Sequence, residues 1–318
     1  MAIQGSGAIS FSDIQTEFGG SNPISISEYY AGGANVSSGT GSVPTSGAIS
    51  LTIFYGTSNR VSITLTISSN TNYYNIFNNR GGTYQAGISD VTLVNNANIS
   101  STSGLVGLDT GSGWASGDTI TIDNNSLIVG HGGNGGNGGN LNSTHASSNG
   151  TAGEAGGTAM NLSYDVTLDN TGGTISGGSG GGGGGCSGVS GQSVKGGTNY
   201  GGCTGSGGGA GRASASGGSK GTGTAQNGTT QGNNGNASSI TASGTGGASV
   251  TNTNFGTATG GAGGNGGANS AGAGANGAGG GGSNTSSGGT GGAGGKAINL
   301  NGNSITYTAT GTIHGAVS

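Results

Sequence analysis

Apolar and polar residues alternate strictly over Val61-Ser-Ile-Thr-Leu-Thr-Ile67. The β-branched content of that run predicts a half-buried strand. Between Asn72 and Asn79 the period changes: Tyr73, Ile76 and Phe77 stand at the i, i+3, i+4 spacing of one helical turn. Short β-rich runs at Val91–Val94, Thr119–Asp123 and Leu127–Val129 predict further strands. Residues 61–129 therefore read as a compact, mainly β domain with Trp114 as a packing aromatic.

Upstream, Ser6-Gly-Ala-Ile-Ser-Phe11 returns as Ser46-Gly-Ala-Ile-Ser-Leu51, and each copy runs on to an aromatic pair, Tyr29-Tyr30 and Phe54-Tyr55. Ser12 to Phe18 is expected to form a short helix with Ser12 as N-cap and Gln15 completing a capping box. Gly19-Gly20 and Pro23 would stop it. Residues 1–60 form a small docking module of a size at which independent stability is marginal.

Downstream the hydrophobic pattern gives way to glycine, 83 of the 318 residues, concentrated between Gly130 and Gly295. With 29% hydrophobic and 5% charged residues, a conventional core through the whole length is excluded. The glycine is phased. Gly132 to Asn140 is Gly-Gly-Asn three times; Gly260 to Ala268 and Gly288 to Lys296 keep the same period. Three residues per turn is the repeat of the polyproline-II helix, which has no internal hydrogen bonds and must bond to neighbours when buried. Two glycines in three let backbones approach, and the third residue is expected to face solvent. The all-glycine run Gly180–Gly185 fits a helix enclosed on every side.

A flexible linker is the alternative for such a composition. Ordered repeats argue against it. Gly157-Thr-Ala-Met-Asn-Leu162 recurs as Gly295-Lys-Ala-Ile-Asn-Leu300, and each is followed by a strand and a Gly-Thr-Ile turn, with Ile120–Val129 as a looser third copy. The fold class is mainly β plus a polyglycine-II helix bundle, a glycine-rich sandwich with very little α-helix. The domains are 1–60, 61–129 and 130–318.

Charge and motif content exclude several classes. Seven acidic residues face two basic ones before Asn124, and three face four after it. No basic field suits nucleic acid. No apolar run approaches the roughly 20 residues of a membrane span, and the first residues do not form a secretory signal. His131, His145 and His314 are isolated from acidic or Cys partners, so no zinc site and no catalytic constellation is expected. The Gly-x-Gly-x-x-Gly matches lack the βαβ setting of a dinucleotide site. No enzyme activity and no cofactor are expected.

Recognition is expected where the three-residue phase breaks, over 141–155, 186–203, 212–259 and 269–287. Tyr200 and Phe255 lie there and are the candidate aromatic contacts. Lys195, Arg212, Lys220, His145 and Gln226 are the candidate polar contacts. Tyr164 and Tyr307 sit beside the repeated strands and read as packing. Cys186 and Cys203 bracket the loop with Lys195 and Tyr200: a disulfide, or two buried reduced thiols.

The strand, the glycine runs, the closing Asn303-Ser-Ile-Thr-Tyr307 and Thr310-Gly-Thr-Ile313 together resemble the receptor-recognising adhesins of T-even-type phages. Val61–Gly139 is similar to the β-domain preceding glycine-rich tips in phage fibre proteins, through Ile63–Asn70, Gly81-Gly-Thr-Tyr84, Asp90-Val-Thr-Leu93 and Ser116-Gly-Asp-Thr119. The Ser-Gly-Ala-Ile-Ser repeat resembles N-terminal modules of virion proteins from environmental phages. The resemblance implies a polyglycine-II sandwich at a fibre tip whose loops contact a bacterial outer-surface protein or glycan. It further implies virion partners reached through residues 1–60, assembly in the host cytoplasm and release on lysis. That family docks through a different N-terminal domain. A structural fibre or matrix protein and an ice-binding protein are the alternative readings.

Overall fold

The computed structural model describes residues 2–318 apart from 38–39, 103–105, 143–145, 195–196, 212–214, 224, 226–227, 240–241, 255–256, 265–266, 268–270 and 283. Over 192–199 and 284–285 the description is of the backbone alone. The chain divides into two compact units. One comprises Met1–Leu65, Phe77–Leu93 and Gly113–Thr121; the other comprises Thr66–Ile76, Val94–Ser112 and Ile122–Ser318.

In the first unit the Ser-Gly-Ala-Ile-Ser motif is a helix-entry device. Helix Phe11–Phe18 starts on Ser10, whose hydroxyl accepts the Asp13 N–H, while the Asp13 carboxylate accepts the Ser10 N–H at 2.8 Å. This reciprocal box lies two residues earlier than the expected Ser12–Gln15 box. Gln15 is instead spent on the Gly20 carbonyl and the Asn22 side chain. The second copy leads through Ser50 into a single 3-10 turn, Leu51–Phe54. The two copies clamp each other: the Tyr30 hydroxyl donates to the Gly47 carbonyl, and the Tyr55 hydroxyl donates to the Gly7 carbonyl. Between them Ile14, Phe18, Tyr29, Val36 and Phe54 form the core. Phe18 and Tyr29 both pack edge-on against Phe54. A second cluster holds Trp114 edge-on to Phe77 and Tyr84, with the Arg80 guanidinium 3.5 Å from the Phe77 ring centroid.

Three sheets take their strands from the chain in rotation, so that the chain coils. The first takes Val61–Ile67, Ser89–Asn95, Thr119–Asn124, Val166–Asp169 and Ile305–Ala309 in that order. The second takes Thr71–Asn72, Ile99–Ser100, Leu127–Val129, Thr174–Ser176 and Thr312–His314; the third takes Tyr74–Asn75, Leu108–Asp109, Met160–Asn161 and Ile298–Asn299. The second and third sheets are parallel throughout. The chain visits the three sheets in sequence, turn after turn. The repeats read from the sequence lie side by side: Met160 pairs with Ile298 and Ile175 with Ile313 and Ile128. Ile99, Leu108, Ile122, Ile128, Met160, Leu168, Ile175 and Ile298 are fully buried.

Asn95 and Asn124 close successive strands of the first sheet, Asn170 comes directly after the next, and all three are fully buried. Their amides join head to tail: Asn95 Nδ2 donates to Asn124 Oδ1 at 2.7 Å, and Asn124 Nδ2 to Asn170 Oδ1 at 2.6 Å. Buried amides need such partners.

The glycine-rich chain enters where a coil turn passes from the second sheet to the third. In two successive turns that corner is expanded, over 130–159 and over 177–297. Residues 176–187 run through the middle of the resulting bundle. Gly178, Gly181 and Gly184 donate to the carbonyls of Gly157, Glu154 and Thr151 at 2.8–2.9 Å. Gly180 and Gly183 donate to Gly272 and Ala275 at 2.9 Å, and Gly182 and Gly185 to Gly209 and Ser206 at 2.8 Å. Their carbonyls accept from three further segments, through Gly133 and Gly136, Gly264 and Gly267, and Gly289 and Gly292. Each set advances three residues at a time. The run is thus bonded to six neighbours, and every residue from Gly177 to Cys186 is buried. This is the enclosed segment expected for Gly180–Gly185. A β-carbon on Gly181 or Gly184 would overlap the carbonyl oxygen of Asn134 or Asn137.

The outer positions differ from expectation. The third residue of the Gly-Gly-Asn repeat does more than face solvent: the side-chain oxygens of Asn134, Asn137 and Asn140 accept the N–H groups of Ser216, Ser219 and Thr222 at 2.7–2.9 Å. Asn149, Asn234 and Asn276 do the same for Ser287, Lys220 and Gly291. A peripheral segment lacks six neighbours, and an asparagine oxygen supplies the missing acceptor.

Candidate functional site

The ladder registers fix which connections share an end of the bundle. Ser187 bonds to Ser148, Gly185 to Ser206, Cys186 to Ala278, and Gly261 to Cys186. Leu141 bonds to Thr222, and Gly221 to Gly205. Hence the connections over 141–147, 188–202, 223–229, 249–258 and 281–286 leave from one end. At the opposite end Gly211 bonds to Gly133, Gly267 to Gly180 and Gly157 to His131.

At the shared end an antiparallel hairpin, Gly188–Val194 with Gly197–Cys203, forms the centre of a small sheet. Thr229–Thr230 pairs parallel with its second strand, and Asn284–Thr285 antiparallel with its first. A second hairpin joins Val250–Asn252 to Ala258–Gly260. The floor is apolar: Leu141, Val189, Cys203, Ala225 and Ala258 are buried. Asn252, itself buried, donates through Nδ2 to the carbonyls of Gly202 at 3.4 Å and Gly228 at 3.3 Å, which ties the second hairpin to the first.

Hydroxyls lock the roots of three connections. Ser187 Oγ donates to the Asn140 carbonyl and accepts the Ser148 N–H, both at 2.7 Å. Ser286 Oγ donates to the carbonyls of Ser148 and Ser187 at 2.9 Å. The connections therefore start from fixed points on a backbone bonded in every direction. Such roots hold the starting points of these connections before any partner arrives, which lowers the ordering cost of binding.

Among the expected contact residues, Tyr200 is half-buried and pairs across the ladder with Gly191. Lys220 is exposed, with its N–H bonded to Asn234 Oδ1. His145, Lys195, Gln226, Phe255 and Arg212 lie outside the described residues. The described neighbours of the first four belong to connections at the shared end. Those of Arg212, Gly211 and Ala215, belong to the other end.

The candidate disulfide is a correction. Cys186 and Cys203 are both free and buried. Cys203 pairs with Gly188, two residues past Cys186, and the thiols donate to different carbonyls, Ser286 and Ala258. Burial pushes the Cys203 thiol up from its ordinary value.

The phase-broken segments are also shorter as loops than expected. Gly150, Gly153 and Gly156 donate to Ser287, Thr290 and Ala293, and Gly244, Gly247, Gly274 and Gly277 make equivalent bonds. One glycine in three is enough on a peripheral segment, where fewer neighbours press in. That spacing is visible in the sequence and is the signal the Gly-Gly criterion misses. The two hairpins carry no clear alternation of apolar residues.

Among the described residues no group of three or more His, Cys, Asp or Glu side chains could hold a metal ion, and no helix is long and apolar enough to cross a membrane. Burial lowers the His131 pKa, with Glu154 acting in the opposite sense.

Comparison with known proteins gives a family. A family model described as phage tail fibre adhesin Gp38 matches residues 60–318. A solved structure, described as the gp37-gp38 adhesin tip complex of the bacteriophage S16 long tail fiber, aligns over 100% of both chains at 22% identity with a TM-score of 0.48. No curated protein matches.

Proposed function

The chain belongs to the phage tail fibre adhesin Gp38 family, and from that premise we propose that it binds a bacterial outer-surface protein or glycan through the connections at the shared end of its bundle. The three-residue hydrogen-bond period supports reading the bundle as polyglycine-II helices. On this reading the bundle is a scaffold, and Tyr200, Lys220, Phe255, Lys195, His145 and Gln226 supply contacts. Residues 1–60 dock to other tail or fibre proteins, 61–129 form a neck, and 130–318 present the connections. The chain acts by binding and carries out no catalysis. It is assembled in the host cytoplasm and leaves on the virion at lysis.

The observation that carries the reading is the gathering of five connections on one end of a backbone-bonded bundle. Exchanging 188–202 and 249–258 for the corresponding connections of a relative with another host should transfer host range. Unchanged adsorption by the exchanged particles would instead favour a purely structural fibre role.

A further inference from the structure

We propose that a concavity in the first unit, beside Tyr55, is a binding site for a neutral saccharide. The cavity measures about 500 Å³ and is lined by Thr40, Tyr55, Ser58, Arg60, Ser62 and Thr83 among others. That volume falls in the roughly 300–1,000 Å³ range of small-ligand sites. It belongs to the docking module and the adjoining strand, outside the connections of the bundle.

The lining is held before any ligand arrives. The Tyr55 ring is anchored by its hydroxyl, which donates to the Gly7 carbonyl. Thr40 and Thr57 are buried and donate to the carbonyls of Ser37 and Phe54 at 2.8 and 2.7 Å. Arg60 is fixed by Asp90, through Nε at 2.8 Å and Nη2 at 2.7 Å, and by the Ser89 carbonyl at 3.2 Å. Asp90 in turn accepts from Thr119.

Against this fixed frame, several polar groups of the lining are unspent. Among the described residues the hydroxyls of Ser58, Ser62 and Thr83 and the Nη1 of Arg60 make no hydrogen bond. Hydroxyls both donate and accept, as sugar hydroxyls do, and an aromatic wall suits the apolar face of a pyranose ring. Charge decides between a neutral and an acidic ligand. Arg60 is the cation of the lining, and its salt bridge to Asp90 cancels its charge, so an anion gains little here.

Saturation-transfer NMR on the full chain with the methyl glycosides of glucose, galactose and N-acetylglucosamine tests this. Transfer to at least one of them is expected. The triple variant Ser58→Ala, Ser62→Ala, Thr83→Val should weaken it at least about tenfold, as expected for three lost hydrogen bonds, with the melting temperature unchanged. No transfer to any of the three, or undiminished transfer in the triple variant, overturns the proposal. Displacement of the glycoside by equimolar inorganic phosphate would assign the site to anions and overturn it as well. Host adsorption through the bundle connections is a separate readout, so failure of either idea leaves the other standing.

Discussion

The carbonyl oxygen of Asn134 occupies the place where a β-carbon on Gly181 would go. The closeness of the two backbones follows from direct bonding between segments: Gly133 donates to Ser179 and Gly136 to Gly182, on either side of Gly181. Glycine is required at this position by its neighbour's backbone, with no contribution from its own torsion.

Gly181→Ala should therefore destabilise the protein by about 3 kcal/mol, the upper end for overpacking, because the atom to be displaced is backbone. Gly82→Ala, where a β-carbon would meet nothing within 4 Å, is the control and should be close to neutral. Thermal unfolding of both variants checks this.

Asn124 links two other buried amides, accepting from Asn95 and donating to Asn170. Asn124→Leu preserves the volume and strands both partners in the core. At roughly 1–3 kcal/mol per unpaired buried group, a loss of about 3 kcal/mol is expected. Denaturant unfolding measures it.

Asp118 gives the first unit an acid-sensitive point. Burial acts to raise its pKa. The Tyr84 hydroxyl and the N–H groups of Ala115, Ser89 and Gly87 outweigh burial and hold the carboxyl below its ordinary value. A depressed folded-state pKa means stability that is complete above the unfolded value of about 3.9 and is lost as pH falls through the folded value. Melting temperature should drop on acidification below about pH 4. Asp118→Asn should be less stable near neutrality by about 2 kcal/mol and should show a flatter acid limb.

The repeated strands were legible in the sequence, whereas their rotation among three sheets was not. The copies at Gly157 and Gly295 predicted strands, and those strands pair with each other. The stacked asparagines left a signal too, since Asn95 and Asn124 each close, and Asn170 directly follows, a strand of the same pattern. Ser12 with Gln15 and Ser10 with Asp13 satisfy the same capping motif, and the Asp13 carboxylate, which accepts the Ser10 N–H, decides for Ser10. The bundle's central run was readable because six neighbours permit no side chain. Its outer segments were hidden because one glycine in three resembles an ordinary polar loop. The convergence of the connections depends on ladder register between segments as far apart as Gly180 and Gly272, and no local pattern encodes that. Tyr200 was singled out by residue type and phase alone, and its pairing with Gly191 came from the hairpin.

The most direct test of the receptor reading is saturable binding of the isolated full chain to host cells before and after replacing residues 190–201 with a two-residue Asn-Gly turn. The account predicts that binding falls more than about tenfold while the melting temperature holds, because the bundle's bonds up to Cys186 and from Cys203 onward are left in place. Undiminished binding by the shortened chain would contradict it.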